Sequence, residues 1–151
     1  MARLASAVTL VTTDGPAGSR GLVATAVTSV TDCPPTLLVC VHKSARCNKL
    51  IKANGVFSVN ILNGAQAEFV QRFTGSCDDD DPFADGTSWT TLETGSPVLK
   101  GALANIDCEL EQIVNIGTHS LFVGQVAVIR IGRAKHGLIY FDRAFCEVEA
   151  S

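Results

Sequence analysis

Short apolar stretches alternate along the chain with turns marked by Gly and Pro. Residues 7–13 are apolar and β-branched, which predicts a strand. Asp14-Gly15-Pro16-Ala17-Gly18 predicts a turn, because Gly and Pro supply the backbone angles a turn needs. Residues 22–30 predict a second strand, hence a hairpin with the first. Pro34-Pro35 stops any helix and sets an extended entry to the next segment. Residues 36–41 are almost wholly apolar, as expected of a buried central strand. Ser44 is placed to cap a short helix over residues 45–53, which Asn54-Gly55 would end. A strand is predicted over 56–62 and a second helix over 65–73, with Phe69 and Phe73 four apart on one side. Residues 77–88 predict a polar, acidic loop. Residues 104–114 and 120–131 predict two long strands, and 138–141 with 145–148 complete the sheet. Many strands, two short helices and Gly-rich turns point to a mainly β domain over 1–151, a closed barrel with peripheral helices.

Composition narrows the class. The chain has 151 residues, enough to bury a real core, and it is 46% hydrophobic and 18% charged. A net charge of -3 argues against a phosphate-backbone binder, so no nucleic-acid partner is expected. No apolar run reaches the roughly 20 residues of a membrane-spanning helix, so no membrane partner is expected either. The start, Met-Ala-Arg-Leu-Ala-Ser-Ala, shows no secretory pattern, and the cytoplasm is the expected location. Cys33, Cys40, Cys47, Cys77, Cys108 and Cys146 include no Cys-x-x-Cys pair, which argues against a metal. They are expected to be free and mostly buried.

Few motifs carry chemistry. Asp78-Asp79-Asp80-Asp81 lacks the spacing of a calcium loop and reads as a solvated run. There is no Gly-x-Gly-x-x-Gly, no Gly-Lys-Ser/Thr and no Gly-x-Ser-x-Gly, which disfavours Rossmann, phosphate-loop and hydrolase readings. The positive signal is Ser44-Ala45-Arg46-Cys47 at a predicted helix start. Unpaired N–H groups, a hydroxyl and a guanidinium there form an anion site. The strand Thr25-Ala26-Val27-Thr28-Ser29 has small side chains that let a planar ring approach the backbone. His119 follows Gly117-Thr118 between two long strands, where an imidazole can reach a groove. Each feature also fits a plain structural role: a cap, an alternating strand, a hydrogen-bonded histidine.

Taken together, the ordered motifs resemble a known family. They are Thr12-Thr13-Asp14-Gly15-Pro16-Ala17-Gly18, Ala24-Thr25-Ala26-Val27, Ser29-Val30-Thr31-Asp32 with Pro34-Pro35, and Val59-Asn60-Ile61-Leu62-Asn63. Pro97-Val98-Leu99-Lys100-Gly101, Ile116-Gly117-Thr118-His119 and Gly137-Leu138-Ile139-Tyr140-Phe141 follow in the same order. The chain resembles the short-chain NAD(P)H:flavin oxidoreductases, the reductase components of two-component flavin monooxygenases, over nearly its whole length.

That resemblance implies a mainly β, FMN-binding split barrel of Greek-key type, paired as a homodimer. It implies FMN or FAD as the flavin and NADH or NADPH as the electron donor. Reduced flavin would diffuse to a monooxygenase partner. Thr25, Ala26, Val27, Thr28 and Ser29 would line the flavin ring. Ser44, Arg46 and Cys47 would meet the phosphate, with Cys47 standing where many members carry Thr. Asn60 would support the site, and Arg72-Phe73 match the family's Arg-Phe pair beside the flavin. His119 would lie near ring and nicotinamide as the catalytic histidine, with Tyr140 and Arg143 as helpers on the NAD(P)H side. A non-catalytic flavin carrier and a pyridoxamine-phosphate-type FMN oxidase are the alternative readings.

Overall fold

The computed structural model describes residues 1–74 and 81–149. Cys77 and residues 78–80 of the acidic run lie outside them. The described chain runs through β1 (Ser6–Ala7), β2 (Thr9–Thr13), β3 (Arg20–Ala24), β4 (Val27–Asp32) and β5 (Pro35–His42). Helix α1 (Arg46–Asn54), β6 (Val56–Ile61), a 3-10 turn (Gly64–Gln66) and α2 (Ala67–Thr74) follow. Then come β7 (Trp89–Thr91), β8 (Pro97–Leu99), β9 (Ala104–Ile116), β10 (His119–Ile131), β11 (His136–Phe141) and β12 (Ala144–Glu149).

Seven strands form one antiparallel sheet in the order β3-β2-β6-β9-β10-β5-β4. β3 and β4 are joined by only Thr25 and Ala26, yet they form its two opposite edges. The sheet must therefore roll until its edges approach. The single strand expected over 22–30 is thus two strands, broken at Thr25. Apolar patterning continues across the break because both pieces keep a side on the core, so the pattern hides it. The barrel is split at this seam rather than closed by a continuous ladder. On the β4 side of the seam, Cys40 N–H donates to Ala26 O at 3.0 Å and prolongs the β4–β5 register past the break.

The core has two parts. Inside the barrel, Val11, Val39, Val41, Phe57, Val59 and Phe122 pack with Cys47 and Ile51 of α1. Outside it, Leu10, Leu62, Phe69, Val70, Trp89 and Leu99 pack under α2 and the β7–β8 pair. β2 contributes to both, since Val11 faces one cluster and Leu10 the other, and all five of its residues are buried. Each such large side chain adds about 1.5–3 kcal/mol by leaving water. α1 ends as expected, with Gly55 at φ 71° and its N–H on Ile51 O at 2.9 Å. The β7–β8 hairpin was not foreseeable from alternation, because each strand has only three residues.

Two expectations need correction. The strand read over 36–41 is buried on one face only: Leu37, Val39 and Val41 point inward, while Leu38 and Cys40 are half-exposed. Of the five described cysteines, all free thiols, only Cys47 and Cys108 are buried. Cys33 is exposed, and Cys40 and Cys146 are half-buried. Burial pushes both buried thiols up to about 12, so they stay protonated.

Candidate active site

β10 starts at His119 and β5 ends at His42, and antiparallel pairing sets these two residues opposite each other. Side chains opposite each other share a sheet face. The two imidazoles meet edge to face, with centroids 5.1 Å apart. Gly117, at φ 54°, makes the tight turn from β9 into β10. Lys43 locks that turn to the end of β5: its backbone N–H donates to Thr118 O at 2.9 Å and its Nζ to Gly117 O at 2.7 Å. Thr118 Oγ1 lies 2.9 Å from His119 Nδ1.

Below the histidines the same face continues in register. Cys40 sits opposite Leu121, and Leu38 opposite Val123. Ala26 joins the first of these rows through its bond to Cys40, and Thr28 joins the second. The result is a half-exposed ledge of small and apolar side chains, topped by two imidazoles. Continuing the β4–β5 register places Thr25 beside Val41, one residue from His42. The motif Thr25–Ser29 thus runs along β5, with β5 between it and His119. Within it Val27 turns inward against the core, and the others are exposed.

After His42 the chain makes a tight turn closed by Ala45 N–H on His42 O at 3.0 Å. Ser44 does not cap the helix as expected. The N-cap position is Ala45, and among the described residues no side chain caps α1. Ser44 instead faces back: its N–H donates to His42 Nδ1 at 3.1 Å and its Oγ lies 2.7 Å from the same nitrogen. The first turn of α1 contains no acidic residue, so its positive end is not neutralised locally. Arg46 is exposed there, and the Arg20 charge of β3 reaches the same turn, opposing the rise of the Cys47 thiol.

Not every residue of the expected site arrives here. The Cys47 side chain points into the core, so only its backbone N–H faces the helix end. Asn60 is fully buried and has no spare capacity. Its Nδ2 donates to Leu10 O and Thr12 Oγ1, and its Oδ1 accepts from Leu99 N–H and Asn105 Nδ2. It is a structural hub, not a ligand contact. Arg72 pairs with Asp85 at 2.9 Å. That guanidinium and backbone donors from Ser88 and Thr87 hold the Asp85 carboxyl below its usual range. Phe73 packs on Phe83 and Trp89, and a Cβ at Gly21 would stand 2.6 Å from its ring. Arg72 and Phe73 thus flank β3, not the histidine pair. Tyr140 and Arg143 lie in the separate β1-β11-β12 sheet, Tyr140 against Phe145 and Arg143 in the β11–β12 turn. β10 runs 13 residues from His119 to Ile131, about 40 Å of extended chain. Gly137 packs by Leu103 near the far end of that strand, and Tyr140 packs against the cluster of Val8, Leu10 and Leu62.

His42, Lys43, Cys40 and Leu121 were not singled out from sequence. The available signal was a histidine ending an apolar run just before Ser44-Ala45-Arg46. Its pairing with His119 needs the sheet register.

The fold is a split antiparallel barrel with a half-exposed ledge beside the N-terminal end of α1. The flavin reductase like domain family matches residues 1–149. The FMN reductase (NADH) RutF of Serratia proteamaculans is 46% identical over 145 residues, covering 96% of this chain and 82% of its own. BorF, the flavin reductase component of a bacterial two-component tryptophan halogenase, superposes with a TM-score of 0.93 at 29% identity, covering 99% of this chain and 94% of its own. The styrene monooxygenase flavin reductase of Pseudomonas putida S12 gives 0.86 at 27% identity, covering 99% and 95%. The chain belongs to the flavin reductase family, and it is a flavin oxidoreductase.

Proposed function

We propose that this protein reduces FMN with NADH and releases the reduced flavin to a partner monooxygenase. The observation that carries the reading is the juxtaposition of the His42–His119 row, the half-exposed ledge of Ala26, Cys40 and Leu121, and the uncapped first turn of α1. The ledge of Ala26, Cys40 and Leu121 presents small and apolar side chains on one sheet face, suited to one side of an aromatic ring. The backbone around Thr25 and Ala26 offers hydrogen-bonding groups along its edge. Ser44, Arg46 and the first N–H groups of α1 supply charged and neutral donors to a phosphate. The flavin itself supplies the redox chemistry when bound, accepting hydride from the nicotinamide.

The protein's part is positioning. His119 stands at the edge of the ledge, where it contacts the nicotinamide and holds it over the ring. No strong acid or base is required of it. A cytoplasmic location follows from dependence on a reduced nicotinamide.

A homodimer completes the proposal. Ile129 and Ile131 at the far end of β10 are exposed by 49% and 74%, apolar side chains that a second copy would cover. Tyr140 and Arg143, on the β1-β11-β12 sheet, are the proposed helpers on the NADH side. Sedimentation at micromolar concentration is expected to give twice the chain mass, and an active monomer would remove this part.

The activity is tested by following oxidation of NADH and NADPH with FMN, FAD and riboflavin in turn. NADH with FMN is expected to turn over fastest. Flavin binding with no oxidation of either donor would convert the reading to a flavin carrier.

A further inference from the structure

We propose that His42 is a two-sided positioning residue: one ring nitrogen orders the phosphate-binding turn, and the ring orients His119. The two halves rest on separate contacts. Ser44 N–H reaches His42 Nδ1 at 3.1 Å. A backbone amide can only donate, so Nδ1 must accept, and the neutral ring carries its proton on Nε2. The Ser44 hydroxyl lies on the same nitrogen at 2.7 Å. One lone pair cannot fully serve two donors. The hydroxyl is therefore free to turn toward an incoming phosphate oxygen while the amide keeps Nδ1. The turn stays in shape as Ser44 changes partner.

The other half is the aromatic contact. His42 and His119 are cross-strand neighbours with an interplanar angle of 70°. Edge-to-face packing limits the rotations open to the His119 ring. Thr118 Oγ1, 2.9 Å from His119 Nδ1, adds a second restraint on that ring. His42 thus joins the phosphate end of the site to the nicotinamide end through one side chain. Being exposed itself, it has no packing reason to be aromatic, and the two contacts account for both its ring and its Nδ1.

This inference rests on the reading of Ser44 and Arg46 as the phosphate site, and two complementary variants dissect it. His42→Phe keeps a ring against His119 and removes the acceptor. It is expected to raise the Kd for FMN about five- to tenfold, with riboflavin affinity and hydride transfer changed less than about twofold. His42→Asn keeps an acceptor oxygen near the place of Nδ1 and removes the ring. It is expected to leave the Kd for FMN within about twofold and to slow hydride transfer in single turnover about three- to tenfold. In the double variant His42→Phe/Ser44→Ala, the FMN losses are expected not to add.

Equal weakening of FMN and riboflavin by His42→Phe overturns the proposal. So does an unchanged hydride-transfer rate in His42→Asn, or a lowered melting temperature in both variants with ligand constants intact. Arg46→Ala separates the two levels of failure. If it weakens FMN and riboflavin alike, the phosphate reading itself is wrong. If it discriminates them and His42→Phe does not, only the role given to His42 is lost.

Discussion

Two polar clusters sit on the same sheet and behave in opposite ways. The first surrounds Asn60 and Asp107 on β6 and β9, with both side chains fully buried. Asp107 accepts from Ser58 Oγ at 2.5 Å, Thr94 N–H at 2.7 Å and Thr94 Oγ1 at 2.6 Å. Asn105 adds Arg130, whose Nε and Nη2 both donate to its Oδ1. Donors and acceptors there are matched within the protein. The second cluster, His42, Ser44 and His119, lies at the end of the sheet with two donors on one acceptor and a helix end left uncapped. Polar residues in strands thus divide by whether the protein itself uses up their hydrogen-bonding capacity. Matched groups hold the fold together, and mismatched groups are available to a ligand.

The sharpest way to break this contrast is to remove the buried acceptor. Asp107→Ala leaves the donors of Ser58 and Thr94 unmatched and frees the 92–96 segment from the barrel. We expect a loss of about 3 kcal/mol in urea denaturation, with the ratio of FMN to riboflavin affinity unchanged. A stable variant with selectively poor FMN binding would reverse the assignment of the two clusters.

At the open cluster the expectation is inverted. Arg46→Ala should weaken FMN by about 1.5–3 kcal/mol, or roughly ten- to a hundredfold, and spare riboflavin, which has no phosphate. Stability should barely change because the side chain is exposed. Titrating both flavins by fluorescence decides it, and parallel losses count against the anion site.

His119→Ala comes next in size. Hydride transfer should slow about tenfold and the KM for NADH should rise, since orientation rather than proton transfer is removed. Flavin affinity and the melting curve should stay close to those of the parent. A destabilised variant with normal stopped-flow kinetics would move His119 into the structural cluster.

The division between the clusters was only partly legible in the sequence. Strands were visible because alternation and β-branching are local. The end of α1 was visible because Asn54-Gly55 is a local stop signal. The break at Thr25–Ala26 was not, since nothing local marks where a rolled sheet changes edge. The strand 36–41 looked fully buried because apolar residues on both faces read alike, whether the cover is the core or a ligand. Ser44 looked like a cap because a hydroxyl before a helix usually is one. Its true partner, His42, is two residues back and turns toward it only in the folded turn. Asn60 was drawn into the site by motif alone, and only its saturated bonds show otherwise. The pairing of His42 with His119 spans most of the chain and is a property of register.

Arg72 offers the smallest effect and the finest test, because it resembles a binding residue by motif yet is matched by Asp85. The ordinary aspartate value is near 3.8, and Arg72 with backbone donors from Ser88 and Thr87 lowers it in the folded state. A depressed folded-state pKa adds stability that is fully present above the unfolded value and is lost as pH falls through the folded one. The pair is solvent-exposed, so its contribution is small and screened by salt. Arg72→Ala should therefore lower the melting temperature slightly at neutral pH. The gap from the parent should close only as the pH falls below the ordinary aspartate value and through the depressed folded-state value of the parent, below which Asp85 is protonated in both proteins. FMN and riboflavin affinities should be unchanged throughout. A pH-independent gap would mean that the Arg72 guanidinium over the Phe69 ring, 5.1 Å from its centroid, matters more than its pairing with Asp85. A selective loss of FMN affinity would instead return Arg72 to the flavin site and show that a matched side chain can still serve a ligand.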